Sequence, residues 1–324
     1  MKSLNVFMHL LSNNKINLNM QSLSFKLIII LINILFLNIL INFFFENNSN
    51  FKVCLCTLGK NENNYALEFV RHYKNYGVDK IFIYDNNDID GEKFENILYN
   101  YIYYNFVEII DYRGKNKIQI DILNHCYQKN NKNYNWLILY DMDEFIFLNK
   151  YKNIKKFLQN KTFNDCQVIF LNEIIHNDNN HIYYKKGMLS KRFKEIQSNP
   201  SKLMVKPIIR GKIENLTITN NHVINLNMEG CNGFGQKIRI SGIHIKHPDN
   251  KNYYFHHYFY KSSEEYLNKL ARGSCFWGNL RTINLLWLNK YLMNNKISIE
   301  KLNFLEKKTA INLSAYRYQL NLNK

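Results

Sequence analysis

The sequence predicts an α/β fold: a mostly parallel sheet flanked by helices, preceded by an N-terminal transmembrane helix. Two observations carry this reading. Between residues 51 and 140, four short apolar runs are separated by three segments of helical periodicity, the pattern of parallel strands joined by crossover helices. Ahead of them, Leu27 to Phe45 holds no charged residue.

Phe51 to Leu58, Lys80 to Tyr84, Phe106 to Ile110 and Trp136 to Tyr140 are short, β-branched or aromatic, and bounded by polar clusters. Between them, Ala66, Phe69, Val70 and Tyr73 recur at helical spacing, with Gly77 where a helix C-cap would fall. A second helix is expected around Glu92 to Tyr103, and Ile118, Ile122, Leu123 and Cys126 mark a third. The second half is less regular. Val168 to Leu171 reads as a strand, and Lys202 to Ile245 as β-hairpins. Ser262-Ser263-Glu264-Glu265 fits a capping box, with helices expected at Ile283 to Leu292 and Leu302 to Ile311.

The charge-free run is nineteen residues long, which as a helix spans roughly 28 Å, close to bilayer thickness. Lys2, Lys15 and Lys26 precede it, so the positive-inside tendency places the N-terminus in the cytosol and the following domain in a lumen or outside the cell. The expected organisation is a cytosolic tail over 1–26, a signal anchor over 27–45, a linker over 46–50 and a catalytic domain over 51–324. A cleaved signal peptide and a soluble amphipathic helix are the alternatives.

Composition narrows the class. An apolar fraction of 46% with 15% aromatics excludes a disordered chain. The formal charge of +17 fits a polyanion partner. It fits better a chain rich in Asn, Lys, Ile, Tyr and Phe, whose lysines are scattered rather than blocked. The six cysteines include no C-x-x-C pair, which disfavours a zinc ribbon and leaves any disulfide pairing open. Cys54 and Cys56 share a strand face and read as core.

The chemistry concentrates at the strand ends. In an open parallel sheet, ligands bind beyond the carboxyl ends, and there lie Thr57 to Glu62, Asp85 to Asp90, Asp111 to Lys115 and Asp141 to Glu144. Asp141-Met142-Asp143 is a D-x-D motif. If extended geometry continues past Tyr140, both carboxylates point one way and repel unless a cation lies between them. Mg²⁺ or Mn²⁺ suits such oxygen ligands and phosphate oxygens, and would neutralise a diphosphate leaving group.

These residues resemble glycosyltransferases of the GT-A fold, in particular the family 92-like and family 2-like group. The resemblance runs from about Val53 to Gly273. It includes Thr57-Leu58-Gly59-Lys60-Asn61-Glu62, Leu67 to Tyr73 with Tyr76-Gly77-Val78, Tyr84 to Asn87, Gln119, Trp136 leading to Asp141 to Phe145, His257-Tyr258, and Lys261-Ser262 with Glu265. Lys60 replaces an arginine-like residue, Phe69 a Trp, and Asp88 to Gly91 lacks the customary Ser. The resemblance implies that Thr57, Asn61 and Glu62 lie on the first nucleotide-facing loop and that Asp85 and Asn86 meet base or ribose. It implies that Asp141 meets the ribose or a metal-bound water, that Asp143 and His257 ligate the metal, and that Lys261 reaches the diphosphate.

An inverting transferase also needs a base for the acceptor hydroxyl, for which Glu173 or Asp178 is the carboxylate expected. The function expected is a metal-dependent hexosyltransferase, using Mn²⁺ or Mg²⁺ to move a sugar from a nucleotide-sugar, UDP-linked by resemblance, to a glycan or glycoprotein hydroxyl. Two alternatives stand beside it: a basic, membrane-anchored polyanion-binding protein, and a metal-dependent nucleotidyltransferase. The latter would need a glycine-rich nucleotide loop, which is absent.

Overall fold

A computed structural model describes residues 29–37, 51–197, 203–224, 229–240, 242–245, 249, 251–272 and 285–322. The chain divides into two units, Met1–Asn50 and Phe51–Lys324. In the first, residues 29–37 are helical, and Asn33 turns its amide onto the Ile29 carbonyl at 3.0 Å, satisfying its polar group within the helix. Among the described residues no helix is long and apolar enough to cross a membrane. The rest of the expected 27–45 span, the 1–26 tail and the 46–50 linker lie outside them.

The second unit opens as the sequence predicts. β1 (Val53–Gly59), α1 (Asn63–Asn75), β2 (Lys80–Asp85), α2 (Glu95–Tyr103), β3 (Val107–Asp111), α3 (Gln119–Asn130) and β4 (Trp136–Leu139) alternate in order. Their strands run parallel in the order β3-β2-β1-β4. Alternation then sorts the core. Val53, Leu55, Ile81, Ile83, Trp136 and Ile138 pack on the side of Phe69, Tyr73 and Leu98. Cys54, Cys56, Phe82, Tyr84, Leu137 and Leu139 pack on the side of Ile122, Leu123 and Tyr127. Gly77 follows α1 with φ +83°, the left-handed C-cap conformation that glycine adopts without strain.

The rest of the sheet is mixed, which corrects the expectation of a mostly parallel one. It adds β5 (Glu144–Leu148), β6 (Val168–Ile175), β7 (Leu203–Arg210), β8 (Glu229–Cys231), β9 (Lys237–Arg239), β10 (His244–Ile245) and β11 (Tyr253–His257). β7 runs antiparallel between β4 and β6, β11 lies parallel to β6, and β5 closes the far edge antiparallel to β11. Two short helices, α4 (Ile154–Leu158) and α5 (Leu189–Arg192), fill connections. α6 (Ser263–Ala271), α7 (Leu285–Asn294), α8 (Ile299–Thr309) and α9 (Ser314–Leu322) follow. Tyr266, Leu270, Leu288, Tyr291, Leu302 and Leu305 of the first three form their own core. The capping box at α6 is complete: Ser262 accepts from Glu265 N–H, and Glu265 accepts from Ser262.

Disulfides join Cys56 of β1 to Cys126 of α3, and Cys166 to Cys231 of β8, while Cys54 is free and buried. Cys275 and Gly273 lie outside the described residues.

Candidate active site

The carboxyl ends of β1, β2, β4, β6 and β11 share one rim, because all five run in the same direction. β5 starts at this rim with Glu144, which pairs with His257. The rim therefore collects residues far apart in sequence.

The acidic motif is not extended, as alternation had suggested. β4 stops at Leu139, and the backbone turns so that Glu144 N–H donates to the Asp141 carbonyl at 3.0 Å. Met142 is buried in the core. Asp141 and Asp143 flank it and take separate partners. Asp141 lies 2.6 Å from Lys206 Nζ of β7 and within 3.4 Å of the Gln119 amide. Lys206 also reaches Glu144 at 3.3 Å, and Glu144 accepts the Asp141 N–H at 2.9 Å. Burial pushes Glu144 up, with the neighbouring Asp141 and Asp143 adding to it against Lys206, to about 8. Burial also acts on Asp141, but Lys206 outweighs it and holds that carboxyl below its usual range.

Asp143 takes a different set of partners. Its Oδ1 is 3.7 Å from His257 Nε2 and its Oδ2 is 2.8 Å from Lys269 Nζ. Burial raises its proton affinity, yet the cations of Lys269, His257 and Lys261 more than reverse this. His257 Nδ1 bonds Glu173 Oε2 at 2.8 Å, and Glu173 Oε1 accepts the Met204 N–H at 3.1 Å. Strand alternation puts neighbouring His256 on the other side, bonded to His176 at 2.8 Å. Glu173, the acid expected to act as base, is thus buried against an imidazole. Asp178, its alternative, is fully buried against Lys301 at 2.6 Å.

A divalent cation can be tested against this donor set. Two ligands on bonds of about 2.1 Å stand roughly 3–4 Å apart, so the Asp143 and His257 pair fits. Glu173 on Nδ1 leaves Nε2 as the ligating nitrogen, the usual carboxylate–histidine–metal arrangement. Asp141, the third expected ligand, is turned to Lys206. Among the described residues no three of His, Cys, Asp and Glu gather as a ligand group.

The first loop and the start of α6 meet through Glu62. This buried carboxylate binds Lys261 Nζ at 2.6 Å and Arg272 at 3.0 Å, and Lys261 lies 4.6 Å over the Tyr65 ring. Lys261 holds a left-handed backbone, φ +56°, immediately before the Ser262 cap. Asn61, also at φ +56°, donates its N–H to the Asn87 side chain at 2.7 Å. Thr57 is buried within β1, its hydroxyl 3.5 Å from the Leu58 carbonyl. Asp85 binds Arg113 at 2.7 Å and accepts twice from Asn87. The Asn86 amide donates to the Tyr112 and Lys115 carbonyls. These bonds tie the β1, β2 and β3 end loops together.

Three cations escaped the sequence reading. Lys206 interrupts the apolar run Leu203 to Ile209, and a lysine centred in a buried strand signals a paired charge. Lys269 and Arg272 stand three residues apart at the end of α6, a spacing that puts both on one helical face.

An α/β sheet with an acid–imidazole–cation rim at its strand ends has the layout of a ligand-binding site beyond the carboxyl ends of the strands. The chain belongs to glycosyltransferase family 92, whose family model matches residues 49–308. It is 27% identical over 112 residues to a family 92 protein of Ricinus communis and 30% identical over 96 residues to one of Arabidopsis thaliana. These stretches are 33% and 30% of this chain, and cover 18% and 16% of those relatives. The crystal structure of S. aureus TarS 1-349 aligns over 79% of this chain and 80% of that one, at 13% identity and a TM-score of 0.34. A superposition at that score carries no weight for the chemistry.

Proposed function

We propose that the Phe51–Lys324 unit transfers a hexose from a nucleotide-sugar, UDP-linked, to a hydroxyl of a glycan or glycoprotein, with inversion and with Mn²⁺ or Mg²⁺ as cofactor. The observation that carries this reading is the rim itself. Asp143 and His257 offer a carboxylate and an imidazole to one hard cation, and Lys261, Lys269 and Arg272 surround them with positive charge. A donor set of this kind suits a diphosphate better than a neutral ligand.

In this reading Asp143 and His257 hold the cation, which when bound supplies Lewis-acid neutralisation of the leaving diphosphate. Lys261 leaves Glu62 for a phosphate oxygen, and Arg272 holds Glu62 in place. Lys206 fixes the acidic turn, so Asp141 is aimed at ribose or solvent water. Thr57, Asn61, Asp85 and Asn86 shape the nucleotide loop through their mutual bonds. For the displacement, Glu173 could take the acceptor proton only after its bond to His257 opens. As placed, it orients the imidazole.

Anchoring by the N-terminal helix, with the catalytic unit in a lumen, belongs to the same proposal. Ile29 to Leu37 are apolar except for Asn33, and the eight apolar side chains are 41–64% exposed, a helix suited to hydrocarbon rather than water. Two disulfides support an oxidising compartment. The test is a screen of nucleotide-sugar donors against glycan acceptors, reading nucleoside diphosphate release with and without Mn²⁺. Release from one donor that needs acceptor and metal supports the reading, and the absence of release from every donor refutes it.

A further inference from the structure

Two lysines neutralise the two aspartates of the acidic turn, but their surroundings differ. Lys206 sits in the central strand β7, 2% exposed, and touches two carboxylates, Asp141 at 2.6 Å and Glu144 at 3.3 Å. Removing it from that place would leave both acids without a cation. Lys269 sits on the last turn of α6, 14% exposed, and touches one carboxylate, Asp143, at 2.8 Å. It also donates to the Phe259 carbonyl at 3.2 Å and lies 4.1 Å over the Phe259 ring. A lysine that gives up Asp143 keeps both of these partners, and a ring face holds an ammonium well in a partly desolvated place.

Lys269 is also crowded by like charge, since Lys261 ahead of α6 and Arg272 at its end both act on it. Asp143 has only two oxygens. One faces His257 and the other carries Lys269, so a cation seated between Oδ1 and Nε2 shares the carboxylate's charge with the ammonium and repels it.

We propose that Lys269 is an exchangeable counter-ion. It neutralises Asp143 until a divalent cation arrives, then yields the carboxylate and keeps its Phe259 contacts, where its charge is available to an anionic ligand. Lys206 is the fixed counterpart that does not exchange. This rests on the reading of Asp143 and His257 as metal ligands.

Direct Mn²⁺ binding to the full chain, followed by electron paramagnetic resonance without any donor sugar, tests it. Lys269→Gln and Lys269→Met should each bind Mn²⁺ on the order of tenfold more tightly than the native chain, the worth of one charge-assisted bond removed from competition. Lys269→Arg should stay near native affinity, and Asp143→Asn should lose the site. Equal or weaker binding in both neutral variants, with Asp143 dependence intact, overturns the exchange and leaves the metal reading standing. No Asp143-dependent binding in any folded variant overturns both.

Discussion

At the scale of single residues, the account turns on what Glu173 does for His257. A buried imidazole with one nitrogen bonded to a carboxylate has its ring orientation set. Glu173→Gln keeps a hydrogen-bonding group but removes the charge. Mn²⁺ affinity should then fall about 10–100-fold, with turnover at saturating metal falling less. If Glu173 is instead the base, metal binding stays native while kcat collapses, so the pair of measurements separates the roles. His72 gives a second residue-scale prediction. Burial pulls it down to about 4, against its bond to the Ile146 carbonyl. Its unfolded pKa is near 6.5, so the unfolded chain binds the extra proton first as pH falls. The stability it contributes is complete above that value and is lost progressively toward pH 4, up to about 3 kcal/mol. Denaturant midpoints at pH 7 and 5 in native and His72→Gln chains check this, and the variant should show the smaller loss. His257 was legible through the family resemblance. Lys206 and Lys269 were not, because periodicity shows which face a lysine lies on and not which acid another element brings to it.

At the scale of elements, the turn after β4 depends on a neighbour that lacks a side chain. A Cβ on Gly59 would lie 2.4 Å from Met142 Sδ and 2.5 Å from Phe94 Cζ. Gly59→Ala must therefore push Met142, which stands between Asp141 and Asp143. Overpacking of this kind costs about 1–3 kcal/mol. Because the displaced residue sits inside the motif, Mn²⁺ affinity should fall along with thermal stability. A loss of stability with unchanged metal binding would mean that the turn is set elsewhere. The first four strands and three helices were readable because each has its own period and its own polar stop. The turn itself was not. Asp141 and Asp143 looked like neighbours on one strand face, but the strand ends at Leu139, the Asp141 to Glu144 bond closes a turn, and the two take different partners.

At the scale of the whole molecule, non-local links set what the sequence hides. The order β4-β7-β6-β11-β5 joins segments more than a hundred residues apart, and no local pattern states which of these strands run antiparallel. The two disulfides span 70 and 65 residues, and spacing alone left their pairing open. Closing loops of that length by a disulfide contributes about 4 kcal/mol each in the chain-entropy view. Reduction should therefore lower the melting temperature of the catalytic unit by many degrees, and Cys56→Ala and Cys166→Ala should each reproduce part of the drop. A reduced chain that melts like the oxidised one would show that the core carries the fold unaided.

The central claim is that the Asp143 and His257 pair, held by Glu173, serves sugar transfer from a nucleotide donor. Its most direct test is steady-state release of nucleoside diphosphate from a UDP-hexose with acceptor present, in native, Asp143→Asn and His257→Gln chains across a Mn²⁺ titration. The account predicts saturable, metal-dependent release in the native chain and at least about a hundredfold loss in both variants, with their folds intact by circular dichroism. Native-level release from folded Asp143→Asn would contradict it.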